Sequence, residues 1–440
     1  MGTAFFRFYG FTQTDFQKSE LIGTAHYYLI ISSFIVCGFL YAFSKPFSNL
    51  LFETKLNASY IKIIVFTGLF QIISLIPFRL YRAKLQPLKY VTVSLIGLLI
   101  QVAFNIYFII VVKLGVKGVL IGNAISAISV GIINVIVNKD VLILKFSSSK
   151  LKDLLNFGFP LIFVSIFFWI LQFSDRFLLQ KLTSTSEVGL YSLGNRFATI
   201  LHFLVITPFS IAWGGYCYKI ANKENAREIF KQITTYLLFG LCSIGLGLVI
   251  FTPLVIKFMA SELFLPANKV VLPLVCANIT YGMFSIFDLG VNIAKKTHYF
   301  VYIMCFGAIL NIALNMFIIP KYGMMGASFV SLISYLVIMF ITYYISQKLY
   351  YIPFEKDRFL KLCFVFLIIA GCSWICQTSN IIFDIIFRII LMTSFFVGLY
   401  LLKFFQKKEI DIIKRLYSRL KERKGIFDKI KFGFELISRQ

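Results

Sequence analysis

The sequence predicts an all-α polytopic membrane protein, and three observations support this prediction. Of the 440 residues, 59% are hydrophobic and only 14% are charged, whereas soluble globular chains average about 25% charged residues. The apolar residues are concentrated in runs of 18 to 25 residues, and about 20 apolar residues in a helix cross a hydrocarbon core of about 30 Å. The runs are continuous rather than alternating, which excludes the strands of a membrane barrel.

Twelve such runs predict twelve membrane-spanning helices. In chain order they are 26–44, 60–78, 90–112, 118–137, 155–174, 189–213, 234–256, 270–293, 299–319, 327–347, 360–377 and 381–402. The connections between them are short and hold most of the charged residues. The eight cysteines lie within or at the ends of these runs without metal or redox spacing, so we interpret them as packing residues.

The distribution of basic residues predicts the orientation of the chain. The formal net charge is +25, and the connections alternate strictly between rich and poor in lysine and arginine. One set of connections, together with the C-terminal stretch, holds 32 basic residues, and the other set holds nine. Because cytoplasmic connections carry the excess of these residues, both termini are predicted to be cytoplasmic. The net charge is therefore explained by the membrane, and no nucleic-acid partner is expected.

An internal repeat relates two parts of the chain. The matched pairs are Lys113 and Lys321, Gly115 and Gly323, Gly118 and Gly326, Ser126 and Ser334, Gln101 and Asn311, and Asn105 and Asn315. A run of matches at a nearly constant shift of 208 to 210 residues indicates a duplication. We interpret the paired glycines as tight turns and the paired polar residues as ties between helices, with a cavity-facing role as the alternative.

The duplication predicts how the chain is organised. A second lobe of six helices occupies 151–347, two additional helices occupy 348–403, and a basic amphipathic tail at 404–440 lies on the cytoplasmic leaflet. The range 1–150 then holds four helices of an incomplete first lobe. By the repeat shift, two further helices would precede Met1, so that the full design is expected to have 14 helices in two pseudo-repeated lobes.

Four segments resemble a known family. They are FFRFY at 5–9, FSDRFLLQKLTSTSEVGLYSLGNRFA at 173–198, NIAKKTHYF at 292–300 and LNMFIIPKYGMMGASFVSLISY at 314–335. Through them the chain resembles the polysaccharide biosynthesis proteins, or Wzx-type flippases, of the multidrug/oligosaccharidyl-lipid/polysaccharide exporter superfamily. The resemblance implies two helical lobes around a central cavity that opens alternately to either side. The departure from the family pattern is the lack of the first two helices in this sequence.

The resemblance also implies a function and partners. The expected function is translocation of an undecaprenyl-diphosphate-linked oligosaccharide repeat unit across the bacterial inner membrane, for O-antigen, capsule or exopolysaccharide assembly. The expected partners are this lipid-linked oligosaccharide, the membrane lipids and the polysaccharide polymerase machinery. No cofactor or metal is expected, because the chain has no nucleotide-binding or zinc-binding motif.

Four polar residues are candidates for substrate binding. The guanidinium groups of Arg7 and Arg196 suit a diphosphate, since a planar fork donates paired hydrogen bonds and stays charged. Asn195 and Thr199 lie four residues apart on one helix face, where they could line a wet cavity. The alternatives are an interfacial arginine for Arg7 and hydrogen bonds between helices for the stripe around Arg196.

Three further residues are candidates for ion coupling: Asp288, His202 and Asp175. A carboxylate within the membrane can carry a proton or cation, and histidine exchanges a proton near neutral pH. The alternative for Asp288 is an ion pair with Lys295 or Lys296. For the adjacent pair Asp175–Arg176 it is an interfacial anchor or an ion pair with another helix.

Two other functions are consistent with parts of the sequence. A cation-coupled exporter of small molecules from the same superfamily would use cavity carboxylates such as Asp288. An integral-membrane glycan polymerase or ligase would need a sizeable outer loop with catalytic residues. The longest outer connection has roughly 15 residues, which argues against the enzyme.

Overall fold

The computed structural model describes a chain that is helical almost throughout. The described residues are 1–12, 14–52, 58–84, 86–139, 145–211, 213, 217, 223–259, 261–294, 296, 298–375, 381–406, 409 and 411, and no strand is present among them. The α-helices are α1 (Gly2–Phe11), α2 (Asp15–Ala42), α3 (Ser44–Phe52), α4 (Ala58–Ile73), α5 (Leu75–Ala83), α6 (Pro87–Ile106), α7 (Val116–Val137), α8 (Ser148–Leu182), α9 (Thr185–Leu201), α10 (Ala226–Met259), α11 (Val271–Phe287), α12 (Leu289–Ile293), α13 (His298–Leu349), α14 (Lys356–Ile375) and α15 (Ile381–Leu401). The all-α prediction is confirmed.

Within these described ranges, nine helical segments are long and apolar enough to cross a membrane. They are Asp15–Ala42, Ala58–Ala83, Pro87–Val111, Val116–Val137, Ser148–Leu182, Ala226–Met259, Glu262–Ile293, His298–Leu349 and Ile382–Leu401. The prediction of a polytopic membrane protein is therefore confirmed, while the number twelve stays a prediction. The helix α13 holds two of the predicted spans, because Gly323 interrupts its 52 residues with φ 52° and ψ −136°.

The first compact unit, Met1–Phe163, is built around α2, α4, α6 and α7. The helix α7 packs against α4 and α6, and α2 packs against α4. Ser126 on α7 donates a hydrogen bond to the Gly97 carbonyl of α6 at 2.7 Å, so the two helices approach closely. At one end, α5 buries Ile76 and Leu80 against Phe5 and Ile22.

The second compact unit, Val164–Gln440, has the larger buried core. The helix α11 packs against α9, α10 and α13. The helix α15 is tied to α10 by Arg388, which is 3% exposed, pairs with Asp384 at 2.8 Å and donates to the Ile250 carbonyl. A buried ion pair with a further hydrogen bond to a backbone carbonyl agrees with a structural role for this arginine.

The boundary between the two compact units lies within α8, which is continuous from Ser148 to Leu182. The four domain ranges predicted from the sequence stay predictions. The predicted amphipathic tail at 404–440 lies outside the described residues, apart from 404–406, 409 and 411.

The two copies of the repeat share an unusual backbone conformation. Gly115 has φ 54° and ψ −131°, and Gly323 has φ 52° and ψ −136°. Such positive φ angles are readily adopted only by glycine. Each glycine stands immediately before the helix that begins at Val116 or continues from Met324. The interpretation as tight turns is confirmed for Gly115 and Gly323. It is wrong for Gly118 and Gly326, which lie inside helices.

Candidate functional site

Asp175 lies at the centre of a buried polar cluster. Its side chain is 2% exposed and accepts hydrogen bonds from Tyr191 Oη at 2.6 Å, from Asn315 Nδ2 at 2.7 Å and from Ser331 Oγ. All three donors are neutral. We name this set, together with Asn311, the Asp175 centre.

The structure differs here from the predicted ion pair or interfacial anchor. Among the described residues, Asp175 forms no ion pair, and the neighbouring guanidinium of Arg176 lies over the Phe173 ring at 5.2 Å. Adjacent residues on a helix point about 100° apart, since 3.6 residues make one turn. The acid therefore faces the protein interior while the base lies on another face of α8.

Four helical segments position the Asp175 centre. Asp175 is on α8, Tyr191 on α9, and Asn315 and Ser331 on the two halves of α13 that Gly323 separates. Asn311, one turn before Asn315, accepts from Ser174 at 2.7 Å and donates to Ser334 at 3.3 Å. These bonds fix the amides around the carboxylate.

The Asp175 centre has an unused acceptor and no basic residue. The Asn315 Oδ1 atom is buried and has no hydrogen-bond partner within the described part of the chain. A buried carboxylate without a counter-ion is costly. Oxygen atoms from a carboxylate, amides and hydroxyls are the ligands that hard cations accept. Chemically, the centre suits a small cation or a proton.

The Asp175 centre borders a cavity of about 260 Å³ within the second unit. Its polar lining consists of Gln172, Asp175, Tyr191, Asn195, Thr199, His202, Asn278, Ser331 and Tyr335. The predicted stripe on α9 is thus brought together with the predicted acid of α8. The His202 ring packs on Tyr281 at 5.7 Å between centroids.

The remaining predicted residues lie elsewhere. Arg196 is exposed, does not line the cavity and has no ion pair in the described ranges. Asp288 is half-buried at the junction of α11 and α12, also outside the cavity lining. Arg7 is in α1, but its side chain lies outside the described part of the structure. Lys295, a predicted partner of Asp288, lies outside the described residues.

Sequence reasoning missed Tyr191 and Ser331. Both are inside segments that carry the family resemblance, and Ser331 is the repeat counterpart of Asn123 at the shift of 208. The repeat predicts a structural tie for Asn315, and the structure shows that Asn315 also donates a hydrogen bond to the acid. No group of three or more histidine, cysteine, aspartate or glutamate residues that could hold a metal is present in the described residues.

Comparison with known proteins gives a family and a fold. Residues 10–269 match the family model described as polysaccharide biosynthesis protein. No curated protein sequence matches the chain.

Among solved structures, the lipid II flippase MurJ in its inward closed conformation is 18% identical with a TM-score of 0.71, over 91% of this chain and 87% of that one. An inward-facing MATE family multidrug resistance transporter of the MOP superfamily is 13% identical with a TM-score of 0.63, over 79% and 84%. The Vibrio cholerae MATE transporter VcmN in its bent form is 16% identical with a TM-score of 0.55, over 79% and 83%. At these identities the likeness concerns the fold.

Proposed function

This chain belongs to the polysaccharide biosynthesis protein family, and from that premise we propose that it is a flippase rather than an enzyme. Its substrate is an undecaprenyl-diphosphate-linked oligosaccharide repeat unit, moved across the bacterial inner membrane for O-antigen, capsule or exopolysaccharide assembly. Both termini lie in the cytoplasm, and the polysaccharide polymerase machinery is the partner on the outer side. The observation that carries the proposal is the cavity where Asn195, Thr199, His202 and Asp175 meet.

Asp175 is the coupling group in this proposal. Its three neutral hydrogen-bond donors leave a negative charge that a proton or small cation can neutralise. The unused Asn315 oxygen beside it supports a site that gains and loses an ion during transport. His202, on the same cavity wall, is a second coupling candidate. A coupling role for Asp288, away from the cavity, remains a separate prediction.

The lipid diphosphate is bound by arginine in this proposal. Arg196 supports this role because its side chain is exposed and has no ion pair in the described ranges. It lies next to Asn195, whose amide can hydrogen-bond a sugar hydroxyl from the adjacent face of α9. Arg7 is the second predicted phosphate ligand. The family resemblance is the basis for the substrate class.

A small-molecule exporter is the second candidate. The cavity of about 260 Å³ with a buried carboxylate suits a small cation as cargo as well as a coupling ion. The fold is shared with MATE transporters, which is consistent with either function. The two proposals differ in what accumulates when the protein is removed.

The decisive experiment is deletion of the gene in the native bacterium, followed by extraction of lipid-linked glycans and sidedness labelling in membrane vesicles. The flippase predicts that complete repeat units accumulate on the cytoplasmic side. Complementation with the 440-residue chain, and with a form extended upstream, tests which of them restores transport. Arg196→Ala, compared with Arg176→Ala as the matched arginine control, tests phosphate recognition in the same assay.

Other outcomes would overturn the proposal. If single units reach the outer leaflet and fail to polymerise, the protein is a polymerase or ligase. If lipid-linked glycans are unchanged while the cells lose resistance to cationic compounds, the protein is an exporter.

A further inference from the structure

The first turn of α9 contains a glutamate whose contact differs from the one its sequence predicts. Ser184 and Glu187 have the spacing of a capping box, in which the glutamate reaches back to its own helix end. Ser184 caps the helix as expected, because Glu187 N–H donates to Ser184 Oγ at 3.3 Å. The Glu187 carboxylate, however, accepts a hydrogen bond from the Met324 backbone N–H at 2.7 Å.

Met324 begins the second half of α13. Gly323 interrupts the helix with its positive φ, and the first N–H groups of a helix have no partner within it. The Glu187 carboxylate therefore lies at a helix N-terminus, where the helix dipole stabilises a negative charge. A Cβ at position 323 would overlap with this carboxylate, so glycine is what allows the approach.

The two helical segments joined by this contact, α9 and the second half of α13, each carry a hydroxyl group that donates a hydrogen bond to Asp175. Tyr191 is four residues beyond Glu187, and Ser331 is seven residues beyond Met324, so each lies on the face of its helix that carries the contact. Both hydroxyls donate to the same oxygen, Asp175 Oδ2, and the two hydroxyl oxygens are 3.4 Å apart.

This arrangement is sensitive to register. A slip of either helix by one residue moves its hydroxyl about 1.5 Å along the axis and about 100° around it. Such a slip would remove a donor from Asp175. A single fixed point near the start of both helices is therefore enough to set the geometry of the Asp175 centre.

We propose that Glu187 is a positioning residue for the Asp175 centre. Its carboxylate caps the second half of α13 and holds that segment and α9 in the register that places Tyr191 and Ser331 on Asp175. This inference rests on the proposed function, in which Asp175 is the coupling carboxylate. Loss of the cap releases the two hydroxyls and opens the centre.

The test is the rate at which dicyclohexylcarbodiimide modifies Asp175 in the purified 440-residue chain, measured by mass spectrometry. The pH is set low enough for the unsubstituted chain to be labelled, and Asp175→Asn identifies the labelled peptide. Glu187→Ala is expected to raise the rate about tenfold, the factor for loss of one hydrogen bond to a charged group. Glu187→Asp is one methylene shorter and does not reach the Met324 N–H, so it is expected to raise the labelling rate as Glu187→Ala does.

Rescue and control variants separate positioning from general loosening. Glu187→Gln keeps an acceptor oxygen for Met324 N–H and is expected to restore a rate near that of the unsubstituted chain. Glu262→Ala removes an exposed glutamate of the same unit and is expected to change nothing. Gly118→Ala destabilises the other unit, because the added methyl group meets Phe108, and it is also expected to leave Asp175 labelling unchanged.

Two outcomes overturn the inference: a Glu187→Ala rate equal to that of the unsubstituted chain, or an equal rise in Gly118→Ala. Labelling does not require transport. The positioning role of Glu187 and the coupling role of Asp175 are therefore tested by different measurements. Normal transport by Asp175→Asn would overturn the coupling role, whereas unchanged labelling in Glu187→Ala would overturn the positioning role.

Discussion

The two repeats share a backbone but enclose different polar groups. Gly115 and Gly323 have the same positive-φ conformation. Gly118 and Gly326 approach the preceding helix equally closely, since a Cβ would lie 2.9 Å from Phe108 and 2.8 Å from Ile318 respectively.

The polar residues at equivalent places do not agree. In the first repeat, Gln101 donates to Asn123 at 2.9 Å, which is a neutral tie between α6 and α7. In the second, the counterparts Asn311 and Ser331 surround the carboxylate of Asp175. One backbone design thus supports a structural tie in one copy and a charged centre in the other. The difference predicts that substitutions at equivalent positions affect transport in the second repeat only.

The largest expected effect is that of Asp175→Asn. The amide keeps the size of the side chain but cannot carry the coupling charge. Substitution of residues that only hydrogen-bond to an ion's ligands typically lowers activity by a factor of about 10 to 100, and transport is expected to fall by more than this. The measurement is restoration of outer-leaflet repeat units in the deletion strain. Asp153→Asn, at an exposed position of the first unit, is the matched control, and equal activity of the two variants would contradict the comparison.

The next effect compares Asn315→Ala with Asn105→Ala at equivalent positions. Asn315 donates to Asp175, and a hydrogen bond to a charged group contributes about 1.5–3 kcal/mol, so transport is expected to fall at least about tenfold. Asn105 has a buried Oδ1 without a partner in the described ranges, and its loss is expected to change stability more than transport. Equal transport defects would mean that both clusters are functional.

Features of this molecule that depend on residues close together in the sequence could be predicted, and features that depend on distant residues could not. Apolar runs and glycine turns are local, so the all-helical membrane fold and the conformation at Gly115 and Gly323 could be predicted. The stripe of Asn195, Thr199 and His202 was also visible, because helical spacing places the three residues on one face.

The Asp175 centre could not be predicted in the same way. Its donors are 16, 140 and 156 residues from the acid along the chain, and no periodicity encodes such contacts. The adjacent charges of Asp175 and Arg176 predict an interfacial anchor or an ion pair with another helix, and only the packing of α8 shows that the acid is buried among neutral donors. The contact of Glu187 is also not predictable from its spacing. The capping-box spacing predicts a contact with its own helix end, whereas its partner, the Met324 N–H, is on α13.

A smaller effect distinguishes the two turn glycines. Alanine at either position must adopt a positive φ, a strain of about 1–3 kcal/mol. At Gly115 an added Cβ meets nothing within 4 Å, whereas at Gly323 it overlaps with the Glu187 carboxylate. Thermal unfolding in detergent is expected to show a lower Tm for Gly323→Ala than for Gly115→Ala. The reverse order would contradict the contact between Glu187 and the turn.

The smallest expected difference is between the unfolding free energies of Gly118→Ala and Gly326→Ala. This comparison tests whether the similar backbone of the two repeats gives a similar cost for the same substitution. In both copies the new methyl group would be within 3.1 Å of a backbone atom of the preceding helix, which cannot move aside as a flexible side chain can. Overpacking of this kind costs about 1–3 kcal/mol. Because the geometry is the same, the two unfolding free energies are expected to fall by similar amounts within this range. A large disagreement would mean that the two copies are packed differently, and the divergence of their polar clusters would then follow from packing rather than from the choice of side chains alone.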